Sequence, residues 1–220
     1  NPTGRVFDRE ELQMIADLCL QYDILAITDE IYEHIYYEGE HHVLATFDGM
    51  RDRTIIISGL SKTFSVTGWR IGTIIAPPDL TDAIRKVHDF LTVGAPAPLQ
   101  EACAVGIREL GQSYYDGLKI DYRERRDVFL SALKDSGFKF STPEGAYYVL
   151  ADFSALSSED DTTFSKMLAK DGGVAPVPGS SFFSVPERGR SVVRFAFCKT
   201  IKTLEAAGER LREFASARHS

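Results

Sequence analysis

Hydrophobic positions at helical spacing open the chain and are followed by short apolar runs. A first helix is predicted because apolar residues recur on one face, at Leu12, Ile15, Ala16 and Cys19. Asp8, with Glu11 three residues later, forms a capping-box pattern at the start of this helix. Three later apolar runs have the length of buried strands, at residues 24–28, 54–58 and 71–76. This order of helix and strands predicts an α/β layer.

From residue 79 onward the apolar spacing changes to that of helices, and strands and helices then alternate. The predicted helices are 79–91, 99–110, 113–136, 162–170 and 201–217, and the predicted strands are 138–141, 146–152 and 191–198. Gly137 is the expected stop of the longest helix. We place a domain boundary within that helix, so that residues 1–120 form part of a larger α/β domain and residues 121–220 form a smaller α+β domain.

The composition excludes several classes of function. Lys and Arg total 25 against 32 Asp and Glu, and the net charge of −7 argues against nucleic acid or an anionic membrane as a partner. The three cysteines are far apart in sequence, so neither a metal site nor a disulfide framework is predicted. Because no apolar run reaches membrane-spanning length and no secretory signal is recognised, the expected location is the reducing cytoplasm.

The segment from Ser58 to Arg70 carries small and polar residues directly after the second predicted strand. In open α/β sheets, ligands bind at the carboxyl ends of strands. Lys62 at such a place can be partly desolvated, which favours a neutral amine that attacks an aldehyde, and Arg70 is suited to a bidentate phosphate contact. The alternative is an exposed loop lysine beside an ordinary surface arginine. A nucleotide P-loop is excluded, because Ser61 stands where that motif requires glycine.

Four further residues are candidates for a site, and each also fits an ordinary structural role. Asp29 ends the first predicted strand, so it would lie beside Lys62 if the two strands are neighbours; it could equally cap the segment that follows. Tyr32 fits a packed aromatic residue, and Asn1 fits an Asn-Pro turn. Arg194 lies in an apolar strand and requires an anionic partner, either a structural carboxylate or the carboxylate of a substrate.

Several motifs together resemble one family, the fold-type I pyridoxal 5′-phosphate (PLP)-dependent aminotransferases of class I/II. The motifs are Asn1-Pro2-Thr3-Gly4, Asp29-Glu30-Ile31-Tyr32, Ser61-Lys62 through Gly68-Trp69-Arg70, and Arg194-Phe195, with further similarity at residues 143–148 and 177–182. Residues 87–100 are similar to the subgroup of kynurenine, methionine and aromatic aminotransferases. The resemblance implies an α/β fold in which part of the large-domain sheet is followed by a carboxy-terminal α+β small domain.

The resemblance also implies a role for the residues around the cofactor ring. Lys62 would be the lysine that holds PLP as a Schiff base and shuttles a proton at the substrate α-carbon. Asp29 would pair with the pyridinium nitrogen, and Tyr32 and Asn1 would hydrogen-bond the ring hydroxyl oxygen.

The phosphate and the substrate are assigned in the same way. Arg70 and Ser61 would contact the phosphate, and Arg194 would bind the substrate α-carboxylate. Gly59 stands where many relatives carry a Ser or Thr that touches the phosphate, so we expect this contact to be lost or to pass to Ser58 or Ser61.

The implied function is transamination between an amino acid and a 2-oxo acid, by an enzyme that is a homodimer at full length. β-Elimination from a sulfur amino acid uses the same residues and stays open. The chain starts directly on the Asn1-Pro2-Thr3-Gly4 turn, before which the family has a large amino-terminal portion. That portion supplies further strands, a dimer arm and part of the cofactor site. We therefore expect a carboxy-terminal fragment, and a catalytically incompetent truncated module is a third reading.

Overall fold

The computed structural model describes residues 1–218, which form two compact units. The amino-terminal unit is Val6–Lys119, and the carboxy-terminal unit combines Asn1–Arg5 with the described residues from Ile120 onward. The change from one unit to the other falls inside the long helix Gln112–Asp135. The division into functional domains at residues 1–120 and 121–220 stays a prediction, and the structure adds that the first five residues group with the carboxy-terminal unit.

The amino-terminal unit contains a three-stranded sheet with the order β1-β2-β3. Its strands and helices are α1 (Arg9–Gln21), β1 (Ala26–Asp29), β2 (Thr54–Gly59), α2 (Leu60–Thr63), β3 (Gly72–Ile75), α3 (Pro78–Leu91), α4 (Ala97–Glu109) and the first part of α5 (Gln112–Asp135). β1 and β2 are parallel, with Asp29 opposite Ile57. β3 is antiparallel to β2, with Gly72 opposite Gly59. The three predicted strands are present within two residues of their expected bounds.

Helix α1 begins as predicted and covers one face of the sheet. Asp8 accepts from the Glu11 backbone N–H, and the Glu11 side chain accepts in turn from the Asp8 N–H. The apolar face of α1 packs against Ala26 of β1 and against residues 44–50. The resulting core consists of Leu12, Ala16, Cys19, Ala26, Leu44, Phe47 and Met50. Burial of these side chains is the main stabilisation of this unit.

The expectation that the first and third apolar runs are buried strands is wrong for the part of the chain that the structure describes. Ile27 on β1 is 68% exposed, and Ile75 on β3 is 61% exposed. The reason is topological, because β1 and β3 are the two edges of a three-stranded sheet. Ile27 and Ile74 lie on the face that residues 1–218 leave uncovered, whereas Ile75 lies on the opposite face, at the outer edge.

The carboxy-terminal unit is an antiparallel sheet with the order β4-β5-β7-β6, together with helices. Its elements are the second part of α5, β4 (Lys139–Phe140), β5 (Tyr148–Asp152), α6 (Asp161–Asp171), β6 (Val177–Pro178), β7 (Val192–Ala196) and α7 (Ile201–Ser216). Gly137 has a φ of 77°, which ends α5 as predicted. The two-residue β6 escaped prediction, because Pro178 and its short length hide it.

Alternate residues of the two central strands in this unit are fully buried. Val149 and Ala151 on β5 and Val193 and Phe195 on β7 form the apolar face. Arg194 therefore lies on the other face of β7. None of the helices within residues 1–218 is long and apolar enough to cross a bilayer.

Candidate active site

Lys62 and Arg70 line one cavity in the amino-terminal unit, with a volume of about 310 Å³. It lies at the carboxyl end of β2, because Lys62 is in the helix that follows this strand directly. The remaining lining residues are Ile31, Ser58, Gly59, Ser61, Ile71 and Gly72. A primary amine and a guanidinium thus share a concave site with two hydroxyl groups. This arrangement suits a ligand that carries both an electrophilic carbon and an anionic group.

Two hydrogen bonds within residues 61–70 and an unusual backbone conformation at Arg70 place this residue at the cavity that Lys62 lines. The Thr67 hydroxyl donates to the Ser61 carbonyl at 3.2 Å, and Arg70 Nη1 donates to the Thr67 carbonyl at 3.2 Å. Arg70 itself has a φ of 56° and lies in the left-handed region, which is uncommon for a residue other than glycine. Such conformations concentrate at functional sites, where the surrounding structure enforces them.

The structure distinguishes between the two serines that were expected to replace the missing contact at Gly59. The Ser58 hydroxyl donates to Glu33 Oε1 at 2.6 Å and is therefore already used. Ser61 is buried and lines the cavity, and its hydroxyl has no hydrogen bond to another group within residues 1–218. Ser61 is thus the better placed hydroxyl for an anion. At Gly59 a Cβ atom would come within 3.3 Å of Ile31 Cδ1, so a larger residue requires a small shift of the Ile31 side chain.

Asp29 and Tyr32 lie at the same end of the sheet as the cavity, where β1 and β2 have their carboxyl ends. β1 and β2 are neighbouring parallel strands, as expected, so Asp29 and the start of the Lys62 loop share one end of the sheet. Asp29 Oδ1 accepts from the Ile31 backbone N–H at 3.2 Å, so this atom caps the turn that follows. Tyr32 is half-buried in that turn. Five residues that the sequence predicts to belong to the site thus lie at this end of the sheet: Asp29, Tyr32, Ser61, Lys62 and Arg70.

The sequence analysis did not identify a group of acidic residues and histidines in the segment that follows β1. Glu30 is buried, and its Oε2 lies 2.9 Å from His41 Nε2. Glu33 accepts from Ser58, and His34 packs against the ring of Tyr115 with 4.5 Å between centroids. Burial lowers the pKa of His34, the Glu33 carboxylate opposes this shift, and the positive charges of His41 and Lys119 add to it. The clustering of acids and histidines from residue 29 to residue 41 was the available signal.

Arg194 lies on β7 in the carboxy-terminal unit and is held by three groups. Its Nη1 donates to Asn1 Oδ1 at 2.8 Å. Its guanidinium lies over the rings of Phe182 and Tyr148, at 4.6 Å and 5.1 Å from their centroids. No carboxylate within residues 1–218 pairs with it, which argues against the structural-carboxylate alternative. Arg194 Nε is buried without a hydrogen-bond partner in that part of the chain, and an external carboxylate would satisfy it.

Asn1 reaches Arg194 because the opening turn is anchored on the carboxy-terminal unit. The Gly4 carbonyl accepts from the Glu144 and Gly145 backbone N–H groups, both at 2.8 Å. Gly4 has a φ of 72°, and a Cβ atom there would lie 2.5 Å from Pro143 Cβ, so only glycine fits. Since Asn1 Oδ1 is used by Arg194, its Nδ2 is the group left to donate. The hydrogen bond expected from Asn1 to the ring hydroxyl oxygen stays a prediction.

The comparisons with known proteins agree on one family. Residues 1–211 match the family aminotransferase class I and II. Over 233 residues the chain is 36% identical to kynurenine–oxoglutarate transaminase 3 of Homo sapiens, which covers 98% of this chain and 51% of that protein. It is 35% identical to the putative aminotransferase YugH of Bacillus subtilis, with coverages of 97% and 54%. The chain therefore spans about half the length of the curated relatives that it matches.

Solved structures give the same result. N-succinyldiaminopimelate aminotransferase from Mycobacterium tuberculosis is similar with a TM-score of 0.92 at 36% identity, over 97% of this chain and 56% of that chain. YbdL from Escherichia coli, for which a methionine aminotransferase function has been identified, is similar with a TM-score of 0.90 at 34% identity, over 97% of this chain and 56% of that chain.

Proposed function

The chain belongs to the class I and II aminotransferases, a family of PLP-dependent enzymes, and from this we propose that it transfers an amino group between an amino acid and a 2-oxo acid. The observation that carries the proposal is the cavity shared by Lys62 and Arg70 at the carboxyl end of β2. In this proposal Lys62 is the Schiff-base lysine and the group that moves the proton at the substrate α-carbon.

The residues of the amino-terminal unit fit the chemistry of PLP. The cofactor presents an aldehyde, a phosphate and a ring nitrogen, and when bound it supplies an electron sink for the substrate. The Lys62 amine suits the aldehyde, and the Arg70 guanidinium with the Ser61 hydroxyl suits the phosphate. The Asp29 carboxylate, at the end of the neighbouring strand, would hold a proton on the ring nitrogen.

The remaining roles belong to residues that orient the reactants. We assign Tyr32 and the Nδ2 group of Asn1 to the ring hydroxyl oxygen. Arg194 binds the substrate α-carboxylate through its unpartnered Nε and the adjacent amino group, because this edge of the guanidinium is the fork that matches a carboxylate.

The first test locates the lysine. PLP is added to the protein, the visible absorbance is recorded, and the adduct is reduced with borohydride and mapped by peptide mass spectrometry. We expect the label on Lys62 and its loss in Lys62→Ala, whereas Lys86→Ala, which removes an exposed lysine of α3, leaves it unchanged. A label spread over several lysines and insensitive to Lys62→Ala would contradict the assignment and favour a catalytically incompetent module.

The second test separates the reactions and sets the substrate class. Kynurenine and methionine, which occur in the names of the relatives, are the first amino acids to assay. Transamination without an acceptor forms at most one equivalent of 2-oxo acid per site, and continued turnover requires a second 2-oxo acid as acceptor. With a cysteine S-conjugate, which carries its sulfur on the β-carbon, release of a thiol, ammonia and pyruvate without an acceptor would identify β-elimination instead. We also propose that the full-length enzyme is a homodimer and that it is located in the cytoplasm. Light scattering of the purified full-length protein tests the first, and cell fractionation tests the second.

A further inference from the structure

Asp161 is a buried carboxylate that capping of its own helix does not require. It lies in the first turn of α6 and is 4% exposed. The cap of this helix is the preceding residue, because Asp160 Oδ1 accepts from the Thr163 N–H at 2.8 Å. Asp161 Oδ2 instead accepts from the Ser180 backbone N–H at 2.7 Å. Burial of a carboxyl group is costly unless the group is hydrogen-bonded. The Ser180 N–H supplies such a bond to Asp161, next to the amino-terminal end of α6.

The segment that Asp161 holds is also fixed at the residue before Ser180. A Cβ atom at Gly179 would lie 2.4 Å from the Val192 carbonyl oxygen, so the backbone of Gly179 is in close contact with the residue that begins β7. Both contacts fall in the single turn Gly179–Phe182. Phe182 is the last residue of this turn, and its ring lies over the Arg194 guanidinium. The Ser180 contact therefore holds the turn that carries the ring of Phe182.

The ring of Phe182 limits the motion of Arg194. The guanidinium has Phe182 and Tyr148 against it and Asn1 on Nη1, and its Nε has no hydrogen-bond partner among residues 1–218. A long arginine side chain loses rotamer freedom when it binds a ligand, and orientation in advance reduces that loss. We propose that Asp161 is a positioning residue, which acts through Ser180 and Phe182 to orient Arg194 for a carboxylate. The inference rests on the proposed role of Arg194 and extends it to a residue 33 positions away in sequence.

The kinetic test compares two adjacent aspartates of α6. With an amino acid substrate, we expect Asp161→Ala to raise KM about tenfold with kcat changed less than about twofold, because orientation for binding is lost and the chemistry is not. Asp161→Asn keeps an acceptor oxygen and should raise KM less than about threefold. Asp160→Ala removes the cap of the same helix and should leave KM unchanged. Phe182→Leu should raise KM, and its effect should not add to that of Asp161→Ala, since both act on one contact.

A readout that does not depend on activity separates this inference from the proposed function. Affinity for 3-phenylpropionate, a carboxylate without an amino group, is measured by calorimetry in the same variants, together with hydrogen exchange of the Ser180 amide. We expect Asp161→Ala to weaken binding about tenfold and to speed exchange. Binding that depends on Arg194 and not on Asp161 overturns the inference alone. Binding that is insensitive to Arg194→Ala overturns the proposed role of Arg194, and the inference with it.

Discussion

Both sheets of this protein contain runs of apolar residues, but the sheets differ in how they are covered. In the carboxy-terminal unit, Val193 and Phe195 of β7 are 0% and 2% exposed. In the amino-terminal unit, every residue of β3 is exposed, including Ile74 and Ile75. An apolar run thus predicts a strand, but burial depends on which other elements pack on it. Large exposed apolar faces are uncommon in isolated soluble domains and indicate a surface made for contact.

The same difference separates the candidate site residues. Arg194 is fixed within a sheet that has its own complete core, and its ring and amide contacts lie within one compact unit. Lys62 and Arg70 line a cavity at the edge of the poorly covered sheet. We therefore expect the geometry around Arg194 to be maintained by local packing. The geometry around Lys62 should depend more on whatever covers the exposed face of β1–β3.

The largest expected effect comes from truncating a core side chain of the carboxy-terminal unit, compared with an exposed strand side chain of the amino-terminal unit. Phe164 is fully buried and stacks on Phe153 with 3.9 Å between centroids. We expect Phe164→Ala to lower the free energy of unfolding of the carboxy-terminal unit by about 3–5 kcal/mol. Ile75→Ala, at an exposed strand position, should cost less than about 0.5 kcal/mol.

Each unit has its own probe for this measurement. Trp69 is the single tryptophan of the chain and lies in the amino-terminal unit, so its fluorescence during urea unfolding reports on that unit. The methyl NMR signals of Val149 report on the core of the other. Similar losses for Phe164→Ala and Ile75→Ala would contradict the difference in covering.

Two helical glycines give a smaller effect of opposite sign in the two units. A Cβ atom at Gly208 of α7 would lie 2.5 Å from Ala132 Cβ on α5, so these helices touch through the glycine. We expect Gly208→Ala to cost about 1–3 kcal/mol in the carboxy-terminal unit. Nothing lies within 4 Å of such an atom at Gly117. Gly117→Ala should therefore stabilise α5 by about 0.5–1 kcal/mol through helix propensity. Urea midpoints test both, and two changes of the same sign would show that helix packing does not distinguish the sites.

Much of this organisation could be predicted from local sequence signals. The capping box of Asp8 and Glu11, the stop at Gly137 and the order of strands and helices depend on neighbouring residues, which sequence patterns contain. β1 and β2 are neighbours, which was the condition for Asp29 to lie near Lys62, and their parallel direction was added by the structure.

What could not be predicted depends on contacts between residues distant in sequence. The partner of Arg194 was expected to be an anion, but the structure supplies the amide of Asn1 from the other end of the chain, with two aromatic rings. The bond from Ser180 to Asp161 likewise joins two elements through a backbone N–H, a group that every residue except proline carries and that leaves no pattern in sequence.

The smallest expected effects are two pH dependences, which should fall in different windows for the two units. Burial lowers the folded-state pKa of His34, with Glu33 opposing and His41 and Lys119 adding to the shift. The unfolded chain therefore takes up the proton first, and stability of the amino-terminal unit should fall as pH drops from about 6.5 toward the folded pKa. His34→Gln should remove this dependence without affecting the lower window.

Asp152 should produce the corresponding dependence in the carboxy-terminal unit. Burial alone would raise its pKa, but hydrogen bonds from the Ser154 hydroxyl and N–H and from Ser191, with the charge of Lys139, hold the pKa below its ordinary value. Its contribution is present above a pH of about 4 and is lost as pH falls through the folded pKa. Urea midpoints are measured between pH 2.5 and 8 by Trp69 fluorescence and by the Val149 methyl signals. The His34 window should appear only in the Trp69 fluorescence, and the Asp152 window only in the Val149 signals. Asp152→Asn should reduce the lower window and leave the upper one unchanged; part of the lower window remains, because the Thr163 N–H also lowers the pKa of Asp160. A shift of both signals in either variant would mean that the two units do not unfold as separate cores.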